Sequence, residues 1–275
     1  MRQDQVNGSR SPRWYRALLD LIYPRECTLC NRLLIDTSLE SLCHRCREQI
    51  EPTQGGCLRC SAPLSRSSSF QNDFKNSCYY CENRKWSFGR AYCYTAYSDV
   101  AARASRKIKQ ANCEALAIEI GKMIGEWLLE RRDFDGGYYD WVVPVPQHWM
   151  RRVVLRYNQA EVLAENIAKT IKRPIRKTDL FRTRWTEKQG TKSIDERLTS
   201  VDQSFGCRSR RQLHGRKVLL VDDIVTSGAT ANDAARALCT AGVGRVDVVA
   251  FSRGVGAVSN KKPSTEEKLL NHAEC

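Results

Sequence analysis

At 275 residues the chain exceeds one typical domain of roughly 100–200 residues and leaves room for a second, smaller unit. No stretch approaches the roughly 18 consecutive apolar residues of a membrane span, and residues 1–8 form no apolar leader, so the chain reads as neither membrane-spanning nor secreted and is expected in the cytoplasm. Thirteen cysteines in that reducing compartment point to metal rather than disulfides, and a net charge of +14 points to phosphate-bearing partners.

Residues 1–13 are polar and Arg-rich and are expected to be disordered. Next, Leu18, Leu19, Leu21 and Ile22 mark a short amphipathic helix that Pro24 stops. From residue 27 to 81 no apolar periodicity persists, and Ser65-Arg66-Ser67-Ser68-Ser69 reads as a flexible insertion. Something other than a hydrophobic core must hold this segment. Four CxxC pairs can do so: Cys27/Cys30, Cys43/Cys46, Cys57/Cys60 and Cys78/Cys81. Each knuckle offers two sulfurs from one tight turn, and two knuckles close a tetrahedral four-thiolate shell, so eight cysteines make two zinc sites. Complete shells leave no open position, which makes the zinc structural; a thioredoxin-like redox motif would show one pair beside a βαβ unit, not four in series. Whether the knuckles pair sequentially or crossed is left open by their spacing. Cys93, Cys113, Cys207 and Cys239 fall outside the pattern and read as small core or surface residues.

After Trp86 the pattern becomes that of an α/β domain. Residues 90–97 predict a strand, and Ser98 caps a helix reaching Lys109. Leu116, Ile120, Met123, Ile124, Trp127 and Leu128 recur at helical spacing, Trp141-Val142-Val143 is a short buried strand, and Leu163, Ile167, Ala168 and Ile171 mark another helix face. Residues 217–221 and 246–251 predict strands flanking a helix from about Gly228 to Ala241. Strands alternating with helices predict a mainly parallel, doubly wound sheet with helices on both faces. The chain thus divides into a disordered start (1–13), a helix with a small double zinc ribbon (14–86), an α/β domain (87–253) and a flexible tail (254–275). Residues 147–217 hold eighteen Lys/Arg against seven Asp/Glu, either a footprint for an anionic partner or a solvated basic surface.

The most specific segment is Val218-Leu219-Leu220-Val221-Asp222-Asp223-Ile224-Val225-Thr226-Ser227-Gly228-Ala229-Thr230. Backbone amides at a tight turn and helix start form an anion nest, Gly228 permits close approach, and Thr226, Ser227 and Thr230 add hydroxyl donors. Two adjacent carboxylates at a strand's C-terminal edge accept hydrogen bonds from vicinal sugar hydroxyls. A ribose 5-phosphate satisfies both halves of this pattern.

The pattern resembles the signature by which type I phosphoribosyltransferases bind phosphoribosyl pyrophosphate (PRPP). The stretch Leu18-Leu19-Asp20-Leu21-Ile22-Tyr23-Pro24 before the first CxxC, Ile108-Lys109, Val143-Pro144-Val145-Pro146, Asn158-Gln159, and Arg182-Thr183-Arg184 with Thr186, Gln189, Arg197 and Phe205 extend the resemblance to the ComF family. That family comprises competence-associated, phosphoribosyltransferase-like proteins with an N-terminal cysteine ribbon. The resemblance implies PRPP binding with Mg2+ at Asp222, Asp223, Thr226, Ser227, Gly228, Ala229 and Thr230. It also implies a pyrophosphate loop carrying Arg151 and Arg152 within reach of Lys109, and a hood with Arg182, Arg184, Gln189 and Arg197 that receives a second ligand. Three partner readings follow: the site serves single-stranded DNA during uptake, the ribbon docks a competence helicase, or the chain is an active, Mg2+-dependent salvage phosphoribosyltransferase. The sequence departs from the family at Leu155-Arg156-Tyr157, where Arg-Gly-Phe is usual, and at Lys192 and Ser200, which leaves the hood's ligand open.

Overall fold

Apolar runs between residues 91 and 253 assemble into one four-stranded parallel sheet. In chain order the elements of the computed structural model are α1 (His44–Glu48), β1 (Ala91–Ala96), α2 (Asp99–Lys107), α3 (Glu114–Glu130), β2 (Trp141–Pro144), α4 (Gln159–Thr170), β3 (Leu180–Arg182), β4 (Phe205–Cys207), α5 (Arg210–Leu213), β5 (Lys217–Val225), α6 (Ala229–Thr240) and β6 (Arg245–Arg253). The structure describes residues 24–34, 41–53, 55–63, 78, 80, 81, 84–147, 157–183, 204–208 and 210–254. The predicted helix over residues 14–23, the 65–69 insertion and the tail beyond Gly254 lie outside the described residues.

The sheet order is β1-β6-β5-β2 with every pair parallel. Central strands β5 and β6 are covered on both faces, which explains why they read as continuous Val/Leu runs rather than alternating patterns. On one face α3 and α4 pack Leu116, Ile120, Ile124, Leu163 and Ile167 over Leu219, Val221, Val249 and Phe251. These two helices meet closely at two glycines, since a Cβ at Gly121 would lie 2.8 Å from Asn166 Cβ and one at Gly125 2.6 Å from Thr170 Cβ. On the other face α6 packs Ala231, Ala234, Ala235 and Leu238 over Val218, Leu220, Val248 and Ala250. The predicted doubly wound arrangement is the observed one. Among the described residues no helix is long and apolar enough to cross a membrane.

Ser98 caps α2 as predicted, its Oγ accepting from the Ala101 amide at 3.3 Å. The helix stops at Lys107 rather than Lys109, with Ile108 as its C-cap. Strand β5 runs four residues past the predicted end at Val221, because β6 keeps pairing with it: Asp222 lies opposite Ala250, Ile224 opposite Ser252 and Val225 opposite Arg253. A second, antiparallel pair, β3 with β4, was not predicted; three residues per strand are too few to show a period of two.

The cysteine-rich segment is not a separate bead. Cys27, Leu29, Leu42, Cys46 and Ile50 belong to the same buried cluster as α3, α4 and one face of the sheet. Ser41 donates both its amide and its hydroxyl to the buried Glu119 on α3, and Arg47 lies 3.6 Å from the same carboxylate. Further along, the amide of Ala91 donates to the Arg59 carbonyl, that of Cys93 to Ser61 Oγ, and that of Thr53 to the Tyr94 carbonyl, so the ribbon follows the outer side of β1.

Candidate functional site

Two of the four knuckles are built on one plan. The amide of Cys27 donates to the Arg32 carbonyl and that of Cys57 to the Ala62 carbonyl, each at 2.8 Å. The residue after the second cysteine is left-handed in both, with φ of 58° at Asn31 and at Ser61, and its amide returns to the first cysteine's carbonyl at 2.8 Å. The thiols of Cys27, Cys30, Cys43 and Cys46 lie within 4.8 Å of one another, as do those of Cys57, Cys60, Cys78 and Cys81. A tetrahedral zinc with bonds of about 2.3 Å sets its sulfurs about 3.8 Å apart. Cys30–Cys43 at 3.6 Å, Cys57–Cys81 at 3.8 Å and Cys60–Cys78 at 3.5 Å match that spacing. The knuckles therefore pair sequentially, and each four-thiolate set fits one Zn2+. Cys93 is 1% exposed, and burial pushes its thiol up to about 12, which makes it a neutral core residue. Cys113 is buried, Cys207 half-buried and Cys239 exposed, all apart from the two clusters.

Strand β5 delivers the acidic pair, and Gly228, with φ of 79°, turns the chain into α6 as its N-cap. A Cβ there would meet the Trp86 ring at 2.8 Å, so both the conformation and the indole require glycine. Gly228 offers no side-chain cap; of the first-turn amides of the 12-residue α6, that of Ala229 donates to Ser227 Oγ, which leaves those of Thr230 and Ala231 to an anion. Along the loop Thr226 is exposed, Ser227 buried with its Oγ 3.3 Å from the Ala229 amide, and Thr230 half-buried.

Asp222 and Asp223 are each 8% exposed. Asp223 accepts from Lys109 Nζ at 2.9 Å, from Gln159 Nε2 at 3.1 Å and from the Ile224 amide at 2.9 Å. Burial raises its carboxyl, but Lys109 and Gln159 outweigh that and hold it below the usual carboxylate range. Burial, joined by the neighbouring charge on Asp223, pushes Asp222 up to about 8. The two carboxyls are thus pushed in opposite directions, Asp223 being the more acidic and Asp222 the one that keeps its proton to higher pH. Lys109 comes from the turn after α2, and Gln159 opens α4 behind its cap Asn158 and bonds Gln147.

The structure therefore brings Lys109, predicted as a pyrophosphate ligand, onto the acidic pair. Arg182 sits on β3 with its guanidinium 5.3 Å from the centroid of the Phe205 ring on β4. The root of β4 is tied to α6, where buried Asp233 accepts from the Ser204 amide at 2.7 Å and pairs with Arg236. Arg151, Arg152, Arg184, Gln189 and Arg197 lie outside the described residues. Behind the loop stand Arg84, Trp86 and Arg253, which the sequence did not single out, because the partners of Arg84 and Trp86 are 143 and 142 positions away and those of Arg253 are backbone carbonyls, one of them 193 positions away.

Residues 18–82 match the model of the double zinc ribbon domain, and residues 158–272 match that of the phosphoribosyl transferase domain. Competence protein F of Haemophilus influenzae is 28% identical over 113 residues, 41% of this chain and 49% of that protein, so the chain spans about half its length. DNA utilization protein YhgH of Salmonella typhimurium is 24% identical over 238 residues, 85% of this chain and 99% of that one. Among solved structures, glutamine PRPP amidotransferase from B. subtilis is 21% identical with a TM-score of 0.34, covering 50% of this chain and 26% of that one. Purine phosphoribosyltransferase from Pyrococcus horikoshii Ot3 is 12% identical with a TM-score of 0.31, covering 49% and 70%.

Proposed function

The chain belongs to the ComF family of phosphoribosyltransferase-like proteins with a double zinc ribbon, and from that premise we propose that it binds PRPP and handles single-stranded DNA in competence. One observation carries the PRPP reading: two buried carboxyls, those of Asp222 and Asp223, stand side by side at the end of β5, directly before the Gly228-capped start of α6. Asp223 accepts from one ribose hydroxyl, and Asp222 can donate to or accept from the other. The 5′-phosphate takes the first-turn amides of α6 and the hydroxyls of Thr226, Ser227 and Thr230. Lys109, 2.9 Å from Asp223, swings its charge toward the pyrophosphate as the ribose takes its place. Mg2+ bound with PRPP would neutralise part of the pyrophosphate charge, alongside Arg151 and Arg152. Single-stranded DNA is assigned to the hood of Arg182, Arg184, Gln189 and Arg197, on the strength of the basic excess over residues 147–217 and the names of the relatives.

Turnover is the second reading, favoured by the phosphoribosyl transferase match over residues 158–272. In it a nitrogen of a base bonds to C1′ as the C1′–O bond breaks and the electron pair leaves with pyrophosphate, while Asp222 and Asp223 hold the ribose. A screen for pyrophosphate release from Mg2+-PRPP with a panel of bases, run beside a single-stranded DNA titration, separates the two. DNA and PRPP binding without release supports the first reading, release selects the enzyme, and absence of PRPP binding overturns both.

A further inference from the structure

Arg253, the last residue of β6, is 1% exposed and is the largest fully buried side chain among the described residues. Its Nε donates to the Cys60 carbonyl at 2.9 Å, and its Nη1 is shared among the carbonyls of Val225 at 2.9 Å, Gly254 at 2.7 Å and Thr226. The guanidinium also lies 5.5 Å from the ring centroid of Tyr80, between Cys78 and Cys81. One cation therefore joins a ligand of the second four-cysteine set to the backbone of the phosphate loop. It makes no ion pair with a carboxylate among the described residues. A guanidinium withdrawn from water needs a compensating charge or a full set of acceptors. The carbonyls supply acceptors, and a zinc ion held by Cys57, Cys60, Cys78 and Cys81 would make a four-thiolate centre, formally −2, that supplies charge beside Cys60.

The segment following Cys81 grips the same loop. Arg84 Nη1 donates to the Ser227 carbonyl at 3.1 Å, the Trp86 ring abuts Gly228, and the Ser87 amide donates to Asn232 Oδ1 on α6 at 2.6 Å. The carbonyl of Val225 is thus held jointly by the Gly254 amide of the sheet and by Arg253, and those of Thr226 and Ser227 by Arg253 and Arg84. In a trans peptide the C=O and the following N–H point in opposite directions. Holding these three carbonyls back turns the amides of Thr226, Ser227 and Gly228 away from the ribbon, in the alignment an anion nest requires.

We propose that the second zinc ribbon is part of the phosphate-binding apparatus, and that Arg253 is the positioning residue through which it aims the loop amides. PRPP affinity then depends on the Cys57/Cys60/Cys78/Cys81 site and not on the first. The ligand is that of the PRPP reading, on which this inference rests; the loop geometry is independent of it.

The test compares wild type with Cys78→Ser, Cys30→Ser, Arg253→Gln and Arg253→Lys. The readouts are zinc content, thermal midpoint, calorimetric affinity for Mg2+-PRPP, and hydrogen exchange of the peptide over residues 222–232 without ligand. Cys78→Ser and Cys30→Ser should each retain one zinc, but only Cys78→Ser should lose about tenfold in affinity and exchange faster over 222–232. Arg253→Gln should keep both zincs yet show the same two defects, with partial recovery in Arg253→Lys. Equal affinity and exchange in wild type, Cys78→Ser and Arg253→Gln overturn the coupling, as does an equal loss in Cys30→Ser. Should Arg253→Gln fail to fold, wild type depleted of zinc by chelator and checked for a retained cooperative transition replaces it. Wild type that holds two zincs but binds no PRPP overturns the PRPP reading instead, and the exchange data then decide the coupling.

Discussion

Replacing Asp222 with Asn should change how stability depends on pH. Asp222 sits at about 8 in the folded, unliganded protein, against about 3.9 in an unfolded chain. The folded state therefore keeps a proton that the unfolded chain releases. Its contribution is complete below about pH 4 and is lost as pH rises to about 8, at about 1.4 kcal/mol per unit. Asp223 has the opposite sign, because its carboxyl is held below the usual range; its contribution is lost only as pH falls through the acid region. Between pH 6 and 9 the pair's variation is thus mainly that of Asp222, on the order of 2–3 kcal/mol. Asn has the shape of the protonated acid and nothing to ionise. Urea unfolding of ligand-free wild type and Asp222→Asn at pH 6, 7, 8 and 9 should show the variant gaining on wild type by that amount, with zinc contributions common to both and cancelling. Parallel curves would refute the assignment of the proton. If the ribose hydroxyls favour the ionised form, Mg2+-PRPP binding at pH 7 should also release a proton, visible as a calorimetric heat that changes with the buffer's ionisation enthalpy.

Elemental analysis should find about two zinc ions per chain, and Cys27→Ser should remove one while also lowering the unfolding midpoint of the sheet, because Cys27 lies in the shared core; a midpoint unchanged from wild type would contradict that shared core. Asp222→Asn combined with Asp223→Asn should weaken PRPP by more than about tenfold, the order of one or two lost charge-assisted hydrogen bonds, and equal calorimetric affinity would put the ligand elsewhere. Lys109→Met should weaken PRPP more than ribose 5-phosphate, and an equal loss for both would confine Lys109 to its pairing with Asp223. Single-stranded DNA affinity should fall with salt at a slope of about −0.7 per phosphate neutralised. Changing Arg182 and Arg184 to Ala should flatten that slope and leave PRPP affinity largely intact; joint loss of both ligands would favour the salvage enzyme.

The parallel sheet was legible because β5, β6 and the helix faces carry their burial in local patterns, and Ser98 and Gly228 punctuate them with caps whose chemistry is local too. The last four residues of β5 were not, since their extended pairing depends on β6 twenty-eight positions later. The zinc ligands were legible as pairs but not as sets: the spacing serves either partner, and only the folded path brings Cys30 beside Cys43 and Cys60 beside Cys78. At the site, the phosphate loop is one continuous segment and could be read directly. The charge state of its acids could not, because Lys109 and Gln159 reach Asp223 from two other elements. Arg253 escaped notice because its partners are carbonyls, which carry no sequence identity.

Strand β1 closes one side of the sheet, where unpaired amides would invite another chain to add a strand. Here the Ala91 amide is taken by Arg59, the Cys93 amide by Ser61 and the Tyr94 carbonyl by Thr53, all from the cysteine-rich segment. The metal sites thereby act as a guard on solubility as well as on shape. Stripping the zinc frees a row of hydrogen-bonding groups on an apolar strand, so chelator-treated protein is expected to self-associate with rising concentration, and restoring zinc before association begins should prevent it.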